Sequence, residues 1–130
     1  MSRIEDVAKK YFAKEVNDRD RAIFEAGISL GALFHQFTGI PIKNDKEFLD
    51  NIEKTIKQSI QLQPFIKSVD IRIKKNDLKK GKNTYDYSTL SGNNLHVILI
   101  AEYGEIKVRA CIKYIEKLDY PLMYIDKIES

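Results

Sequence analysis

Two adjacent segments, LHVILIAE (residues 95–102) and IKVRACIKY (residues 106–114), decide the fold. The first is apolar on both faces over its middle, which is typical of a β-strand that is covered on both sides. The second alternates apolar with polar side chains, as a half-buried strand does. The intervening YGE is short enough for a tight turn. These segments predict an antiparallel hairpin whose first strand needs cover on both faces, from helices or from another subunit.

Two more strands are predicted beside this hairpin. Apolar residues alternate with charged ones over residues 69–73, which indicates a half-buried strand. LMYIDKI (residues 122–128) follows a break at Tyr120-Pro121 and predicts the last strand. The second half of the chain is therefore expected to form a mainly antiparallel sheet of about four strands.

The first half of the chain has apolar residues at helical spacing. The first predicted helix covers residues 2–15, and its apolar stripe consists of Ile4, Val7, Ala8 and Tyr11. The second is capped by Asn17 or Asp18 and ends at Gly39, with an apolar stripe of Ile23, Phe24, Gly27, Ile28, Gly31, Phe34 and Phe37. The third runs from near Asp45 to about Gln61. Three N-terminal helices packed on about four strands predict an α+β fold. A chain of 130 residues is expected to be one domain, residues 1–130.

Composition excludes several classes of protein. The chain is 43% hydrophobic and 32% charged, and its net charge of +3 is too small to indicate nucleic-acid binding by itself. Cys111 is the only cysteine, which excludes an internal disulfide, fits a cytoplasmic location and suggests a packing residue. No apolar run reaches the ~20 residues of a membrane span, and the charged N-terminus is unlike a signal peptide. No metal site is expected, since the chain has two histidines and no paired cysteines.

The second predicted helix contains an unusual segment, EAGISLGALFHQFTGIPI (residues 25–42), which is apolar except for a few polar groups. Gly27 and Gly31 each cost roughly 1 kcal/mol relative to alanine in a helix, but they let another backbone approach closely. Glu25 and His35 are about 15 Å apart along a straight helix and differ by roughly 80° around it, so they cannot touch. They could contact opposite ends of one ligand or serve one pocket across a subunit interface. The structural alternative is that Glu25 is a first-turn acid stabilised by the helix dipole and His35 a polar residue at a helix end.

The same segment resembles the signature of the archaeal-type dihydroneopterin aldolases of tetrahydromethanopterin biosynthesis. The likeness covers about 18 residues and includes Glu25-Ala26-Gly27, Gly31, His35-Gln36-Phe37 and Gly39-Ile40-Pro41. The size of the chain and its order of helices then strands are also similar to that family. The resemblance implies a homotetramer that cleaves 7,8-dihydroneopterin into 6-hydroxymethyl-7,8-dihydropterin and glycolaldehyde.

This retro-aldol reaction is expected to need no cofactor, metal or Schiff-base lysine, because the C6=N5 imine of the dihydropterin accepts the electrons. The protein must supply a base for a side-chain hydroxyl and a proton donor for the enamine-like intermediate. An imidazole can do either at neutral pH, so His35 is the acid–base candidate. Glu25 is the predicted anchor of the pterin, whose 2-amino group and N3–H are two donors on one edge that a carboxylate can accept.

Three further assignments depend on residue type and a looser resemblance. Gln61, after the third helix, and Tyr87, in the long loop, are expected to contribute to catalysis, and Tyr120 is expected to bind substrate by stacking or hydrogen bonding. Gln63 is the alternative to Gln61, and Tyr114 is the alternative to Tyr120.

Two other classes of function remain open from the sequence. Residues 74–94 hold five lysines with Tyr85 and Tyr87, and could be a solvated loop, a lid, or an RNA contact in a non-catalytic binding protein. The 19 acids and 22 basic residues are nearly balanced, which argues against RNA. A structural oligomerisation module built on residues 95–102 is the other alternative. Release of an aldehyde from 7,8-dihydroneopterin would distinguish the aldolase from both.

Overall fold

The computed structural model describes residues 2–75, 78 and 83–130. Its elements, in chain order, are α1 (Arg3–Ala8), α2 (Asp18–Phe37), β1 (Pro41–Ile42), α3 (Lys46–Ile60), β2 (Ile66–Ile73), β3 (Ser88–Thr89), β4 (Leu95–Tyr103), β5 (Ile106–Ile115) and β6 (Tyr120–Glu129). The prediction of an α+β fold with a mainly antiparallel sheet is confirmed.

The main sheet has four strands in the order β2-β4-β5-β6, and every neighbouring pair is antiparallel. The predicted hairpin is confirmed, since Tyr103 pairs with Ile106 across a turn in which Gly104 has φ +59°. β1 and β3 form a separate antiparallel pair of two residues each. Nothing in the sequence pattern indicated this pair, because two residues are too few to show an alternation.

The bounds of α2 and α3 follow from their capping residues. The Asn17 side chain accepts from the backbone N–H of Asp20, and the Asp20 carboxylate accepts from the backbone N–H of Asn17, so the two residues form a capping box. Gly39, with φ +93°, follows the end of α2 in a conformation that favours glycine. Asp45 caps α3 by accepting from the N–H of Phe48. The predicted ends of both helices are correct to within two residues.

The predicted first helix, residues 2–15, is too long. α1 covers only Arg3–Ala8 and continues as a single 3₁₀ turn, Lys9–Tyr11. Its apolar stripe faces outward: Ile4 is 82% exposed and Tyr11 is 87% exposed. The buried side chain of α1 is instead that of Glu5. An ion pair rather than an apolar face therefore attaches this short helix to the rest of the chain.

The core lies between the helices and one face of the sheet. α2 packs on β4 and β5, and α3 packs on β2. The side of α2 that is buried carries Ala22, Ala26, Leu30 and Leu33. The predicted stripe of α2 was therefore partly wrong, because Phe24 and Ile28 are each 46% exposed.

The second face of β4 is only partly covered in one chain. Its residues alternate between buried positions, such as Val97 and Leu99, and half-buried ones, such as Ile98 and Ile100. The helices of this chain cover the side of Val97 and Leu99. Cover of the other side by a second subunit stays a prediction.

Candidate active site

Glu25 lies in the second turn of α2, and its side chain is 13% exposed. Its Oε1 accepts a hydrogen bond from Nε of Arg21 at 3.1 Å, and Nη2 of Arg21 lies 3.1 Å from the same oxygen. Among the described residues, none donates a hydrogen bond to Oε2 of Glu25. One oxygen of this carboxylate is thus held by the protein, and the other has its lone pairs free for a ligand.

Arg21 is the centre of a buried cluster that joins α1, α2 and β4. Its Nη1 and Nη2 donate to Oε2 and Oε1 of Glu5, both at 2.7 Å. The hydroxyl of Tyr103 donates to Oε2 of Glu5 at 2.6 Å and accepts from Nη1 of Arg21 at 3.3 Å. Two carboxylates and one hydroxyl therefore surround a single guanidinium.

Three aromatic rings enclose the same guanidinium. The Cζ atom of Arg21 lies 4.0 Å from the ring centroid of Phe12, 4.8 Å from that of Tyr103 and 5.4 Å from that of Phe65. Phe65 also packs against Tyr103 at 5.0 Å between centroids. Such rings attract a cation and exclude water, which strengthens the ion pairs that they cover.

The protonation states in this cluster follow from its geometry. The hydrogen bond from Arg21 lowers the pKa of Glu5 and outweighs the opposing effect of burial. Burial, together with the hydrogen bond to Glu5, raises the pKa of Tyr103 to about 12. The hydrogen bond to Glu5 raises the pKa of Arg21. At neutral pH Glu5 and Arg21 are charged, and Tyr103 is a neutral hydrogen-bond donor.

Sequence reasoning did not find this cluster. The one local signal was the spacing of Arg21 and Glu25, four residues apart on one helix, which is the distance at which oppositely charged side chains meet. Glu5 and Tyr103 are 98 residues apart in the chain, so no periodicity could have connected them.

His35 lies at the other end of α2, in its last turn, where its side chain is exposed. Its ring packs edge-on against Phe34, with 5.5 Å between centroids. The Phe34 ring in turn lies against Gly92, where an added Cβ would come within 2.6 Å of the ring and 3.0 Å of Pro121. Tyr120 directly precedes Pro121 and is exposed. His35 and Tyr120 therefore belong to the same end of the molecule.

The other two predicted residues divide between the two ends of α2. Gln61 is the exposed C-cap of α3, four residues before Phe65 of the aromatic cluster, and so lies towards the Glu25 end. Tyr87 is exposed and directly precedes β3. Leu90, just after β3, accepts from the backbone N–H of Gly39 and donates to the backbone carbonyl of Ile40, both just past α2. Tyr87 therefore lies towards the His35 end.

By their position relative to α2, the five predicted site residues fall into two groups, one towards each end of the helix, rather than into one. Glu25 and Gln61 form the first group, and the second is His35, Tyr87 and Tyr120. Glu25 and His35 are ten positions apart in α2, which separates the two groups by about 15 Å along the helix.

The alternative site residues, Tyr114 and Gln63, are less accessible than Tyr120 and Gln61. The Tyr114 hydroxyl donates to Oδ1 of Asp119, so it is engaged within its own strand connection. Gln63 is half-buried beyond the end of α3, whereas Gln61 is exposed. The side chains of Gln61 and Tyr120 are therefore more accessible to a ligand than those of their alternatives.

A cavity of about 390 Å³ opens beside Arg21 and Tyr103. Its walls come mainly from residues 9–18, and Glu25 is not among the residues that line it. This cavity therefore lies on the α1 side of the guanidinium, away from the free oxygen of Glu25.

In the part of the chain that the structure describes, no three or more His, Cys, Asp or Glu side chains are grouped so as to hold a metal ion. No helix within those same residues is long and apolar enough to cross a membrane. Cys111 is buried, and burial raises the pKa of its thiol, as expected of a packing residue.

Known proteins are similar to this chain in both sequence and fold. A dihydroneopterin aldolase from Picrophilus torridus is 42% identical over 123 residues, which cover 95% of this chain and 98% of that protein. A dihydroneopterin aldolase from Methanopyrus kandleri is 38% identical over 120 residues, covering 92% and 95%. A crystal structure of a Picrophilus torridus protein matches with a TM-score of 0.80 and 41% identity, covering 95% of this chain and 97% of that one.

These matches first define a class, the small α+β proteins related to archaeal dihydroneopterin aldolases. The sequence model of the dihydroneopterin aldolase family matches residues 17–126. The chain belongs to the dihydroneopterin aldolase family, and the resemblance noted in residues 25–42 is confirmed.

Proposed function

We propose that this protein is a dihydroneopterin aldolase, a lyase that cleaves 7,8-dihydroneopterin into 6-hydroxymethyl-7,8-dihydropterin and glycolaldehyde. The observation that carries the proposal is the identity of 38–42% to two named aldolases over nearly the whole chain. We further propose that the chain works as one cytoplasmic domain, residues 1–130, in tetrahydromethanopterin biosynthesis. No observation favours the non-catalytic alternatives; of the five lysines in residues 74–94, Lys79, Lys80 and Lys82 lie outside the described residues.

Glu25 is the proposed anchor of the pterin ring. Its Oε2 is free of hydrogen bonds from the described residues, and an oxygen of a carboxylate can accept two hydrogen bonds. The 2-amino group and the N3–H of the pterin are adjacent and point in the same direction, so they can donate to the carboxylate as a bidentate pair, for which Oε2 must be free. Because Oε1 is held by Arg21, the ring would bind in one orientation.

His35 is the proposed acid–base group. The side-chain hydroxyl of the substrate loses its proton to a base, the neighbouring C–C bond breaks, and the electron pair moves into the C6=N5 imine. The resulting enamine then takes up a proton at carbon, which restores the imine. The pterin ring itself accepts the electrons, so this mechanism uses neither a metal nor a Schiff base. His35 is exposed, and none of the described residues hydrogen-bonds to its ring, which leaves both nitrogens available.

Gln61, Tyr87 and Tyr120 complete the proposed site. Gln61 offers an amide at the Glu25 end, and Tyr87 offers a hydroxyl at the His35 end; both are proposed to help in proton transfer or in holding the reacting hydroxyl. Tyr120 is proposed to stack on the ring or to hydrogen-bond to it. All three side chains are exposed in a single chain.

The site is proposed to be shared between subunits of a homotetramer. Glu25 and His35 are each five residues from residue 30, so two antiparallel copies of α2 that cross there would bring Glu25 of one copy to the level of His35 of the other. The outward side of α2 fits such a contact: Phe24 and Ile28 are each 46% exposed, and an added Cβ at Gly27 or Gly31 would meet nothing within 4 Å. Closed symmetry is the default for assemblies of this kind.

The test of the activity is direct. Purified protein is mixed with 7,8-dihydroneopterin, and the pterin product is followed by chromatography while glycolaldehyde is trapped and measured. We expect equal amounts of the two products, and strongly reduced formation of both with Glu25→Gln. A wild-type protein that binds pterin and releases no aldehyde would refute the aldolase and favour a binding protein.

A further inference from the structure

We infer that Glu5 and Arg21 are positioning residues of the substrate site: Glu5 holds Arg21 so that the guanidinium engages only Oε1 of Glu25 and leaves Oε2 for the pterin. This inference rests on the proposed role of Glu25. It assigns a function to α1, which lies outside the residues 17–126 that define the family match.

The guanidinium of Arg21 has five N–H groups in a fixed plane. Nε donates to Glu25, and Nη2 also lies 3.1 Å from the same carboxylate. Nη1 and Nη2 each donate one hydrogen to Glu5. The other hydrogen of Nη1 is directed at the Tyr103 hydroxyl. Every donor direction of Arg21 is therefore used, and Glu5 takes the two shortest contacts.

Loss of the Glu5 carboxylate would leave Nη1 and Nη2 of Arg21 without their closest acceptor. The side chain of Arg21 is only 7% exposed, and the ring of Phe12 covers it at 4.0 Å, so the lost carboxylate could be replaced only by neutral water from the neighbouring cavity. The remaining carboxylate in contact with the guanidinium is that of Glu25. Arginine binds carboxylates preferentially through two parallel hydrogen bonds, one to each oxygen. Removal of Glu5 would therefore draw Arg21 onto both oxygens of Glu25 and block Oε2.

The Glu5 carboxylate is also contacted by Tyr103. The Tyr103 hydroxyl donates to the same Oε2 of Glu5 that accepts from Nη1 of Arg21. This bond fixes the plane of the Glu5 carboxylate relative to the guanidinium. Tyr103→Phe removes only this hydroxyl and keeps the ring against Arg21, so it should have the same effect as loss of Glu5 but a smaller one.

Two roles of Glu5 make different predictions. A purely structural role, in which Glu5 only fastens α1 to the body, predicts lower stability with unchanged affinity for pterin. A positioning role predicts weaker pterin binding that depends on Glu25. A double-mutant cycle distinguishes them, because residues that act through one another give non-additive changes.

The experiment compares wild type, Glu5→Gln, Tyr103→Phe, Glu25→Gln and Glu5→Gln/Glu25→Gln. The dissociation constant of 6-hydroxymethyl-7,8-dihydropterin is measured by fluorescence titration, and kcat and KM are measured for 7,8-dihydroneopterin. For Glu5→Gln we expect the dissociation constant and KM to rise about tenfold, as loss of one charge-assisted hydrogen bond implies, with kcat changed less than about twofold. For Tyr103→Phe we expect about a threefold rise. In the Glu25→Gln background, Glu5→Gln should have no further effect on affinity.

Asp50→Asn is the matched control. It removes a charge from an exposed ion pair with Lys46 at 2.7 Å within α3, apart from the buried Arg21 cluster, and should leave affinity and kinetics unchanged. Unaltered pterin affinity in Glu5→Gln, or an equal loss of affinity with and without Glu25, would overturn the inference. If Glu5→Gln does not fold, the milder Tyr103→Phe and its cycle with Glu25→Gln give the same test.

The outcome also separates this inference from the proposed function. A wild-type protein that neither cleaves 7,8-dihydroneopterin nor binds the pterin product refutes the proposed function, and the inference with it. An active wild type whose Glu5→Gln variant binds pterin normally refutes the inference alone.

Discussion

Substitution of Gly27 and Gly31 by alanine tests the proposed subunit contact, because it should stabilise an isolated chain but destabilise the oligomer. Both lie inside α2, and an added Cβ at either would meet no atom within 4 Å in a single chain. Alanine is better than glycine in a helix by about 1 kcal/mol per residue. For an isolated chain, Gly27→Ala/Gly31→Ala should therefore raise the free energy of unfolding by about 2 kcal/mol.

In the proposed oligomer the same substitutions should be destabilising, because they weaken the contact between subunits. If two copies of α2 approach closely over these glycines, each new methyl group has to fit into a contact that has no space for it. Overpacking of this kind costs about 1–3 kcal/mol per site. A two-fold contact contains both copies of every substituted residue, so the cost to assembly counts twice. The double variant should then dissociate and lose activity, while each chain remains folded.

The assay is light scattering coupled to gel filtration over a dilution series, together with urea unfolding and turnover of 7,8-dihydroneopterin. The monomer mass of 15.1 kDa makes the possible assemblies easy to distinguish. Asn51→Ala, at an exposed position of α3, is the control for helix propensity alone and should stabilise the chain slightly without changing its mass. If the glycine double variant is more stable by about 2 kcal/mol and keeps the mass and turnover of wild type, the α2 face is not a subunit contact.

Four further outcomes are expected. Glu25→Gln should weaken pterin binding by ~1.5–3 kcal/mol in a fluorescence titration, with little change in urea unfolding; unchanged affinity would remove Glu25 from the site. His35→Asn should lower turnover by roughly 10²-fold or more, whereas full turnover with an unaltered pH profile would make His35 structural. Activity should survive exhaustive chelation, and a loss that added zinc restores would contradict the metal-free mechanism. The pKa of Glu5 is lowered in the folded protein, so the stability that its charge contributes is fully present above pH 4.5 and is lost as the pH falls through the lowered pKa. In urea unfolding below pH 4.5, the free energy of unfolding of Glu5→Gln should therefore fall less steeply with pH than that of wild type. Equal slopes for the two proteins would show that the ion pair does not stabilise the fold.

The parts of the fold that the sequence predicted well depend on local signals. Asn17 and Asp45 mark the starts of α2 and α3 because their side chains cap backbone N–H groups within three residues. The β4–β5 hairpin was predictable because alternation and a short turn occur side by side. The attachment of α1 was not, since it depends on Glu5 meeting Arg21 and Tyr103, which are 16 and 98 residues away.

In the candidate site, too, the sequence predicted what local signals mark and missed what depends on contacts between distant residues. Glu25 and His35 stand in one recognisable segment, and the sequence alone predicted that they could not touch within a straight helix. Arg21 was overlooked because an arginine followed by a glutamate four residues later is common on solvated helix surfaces, where such pairs contribute little. What makes this pair different is burial beneath Phe12, which is a tertiary contact and leaves no trace in the local pattern.

The error in the predicted stripe of α2 has a physical cause that bears on the assembly. A helix that is apolar on one side has a single stripe, but α2 has two: small and aliphatic residues at Ala22, Ala26 and Leu30 face the sheet, while Phe24 and Ile28 face outward. The larger side chains dominated the pattern, so the predicted stripe included Phe24 and Ile28 of the outward side beside residues that do pack on the core, such as Phe34. A helix that is apolar on both sides is normally covered on both sides. The described residues of one chain cover the first side fully and the second only in part, where Phe12 packs against Phe24. The second side, which carries the two glycines, is the surface on which we expect another copy to lie.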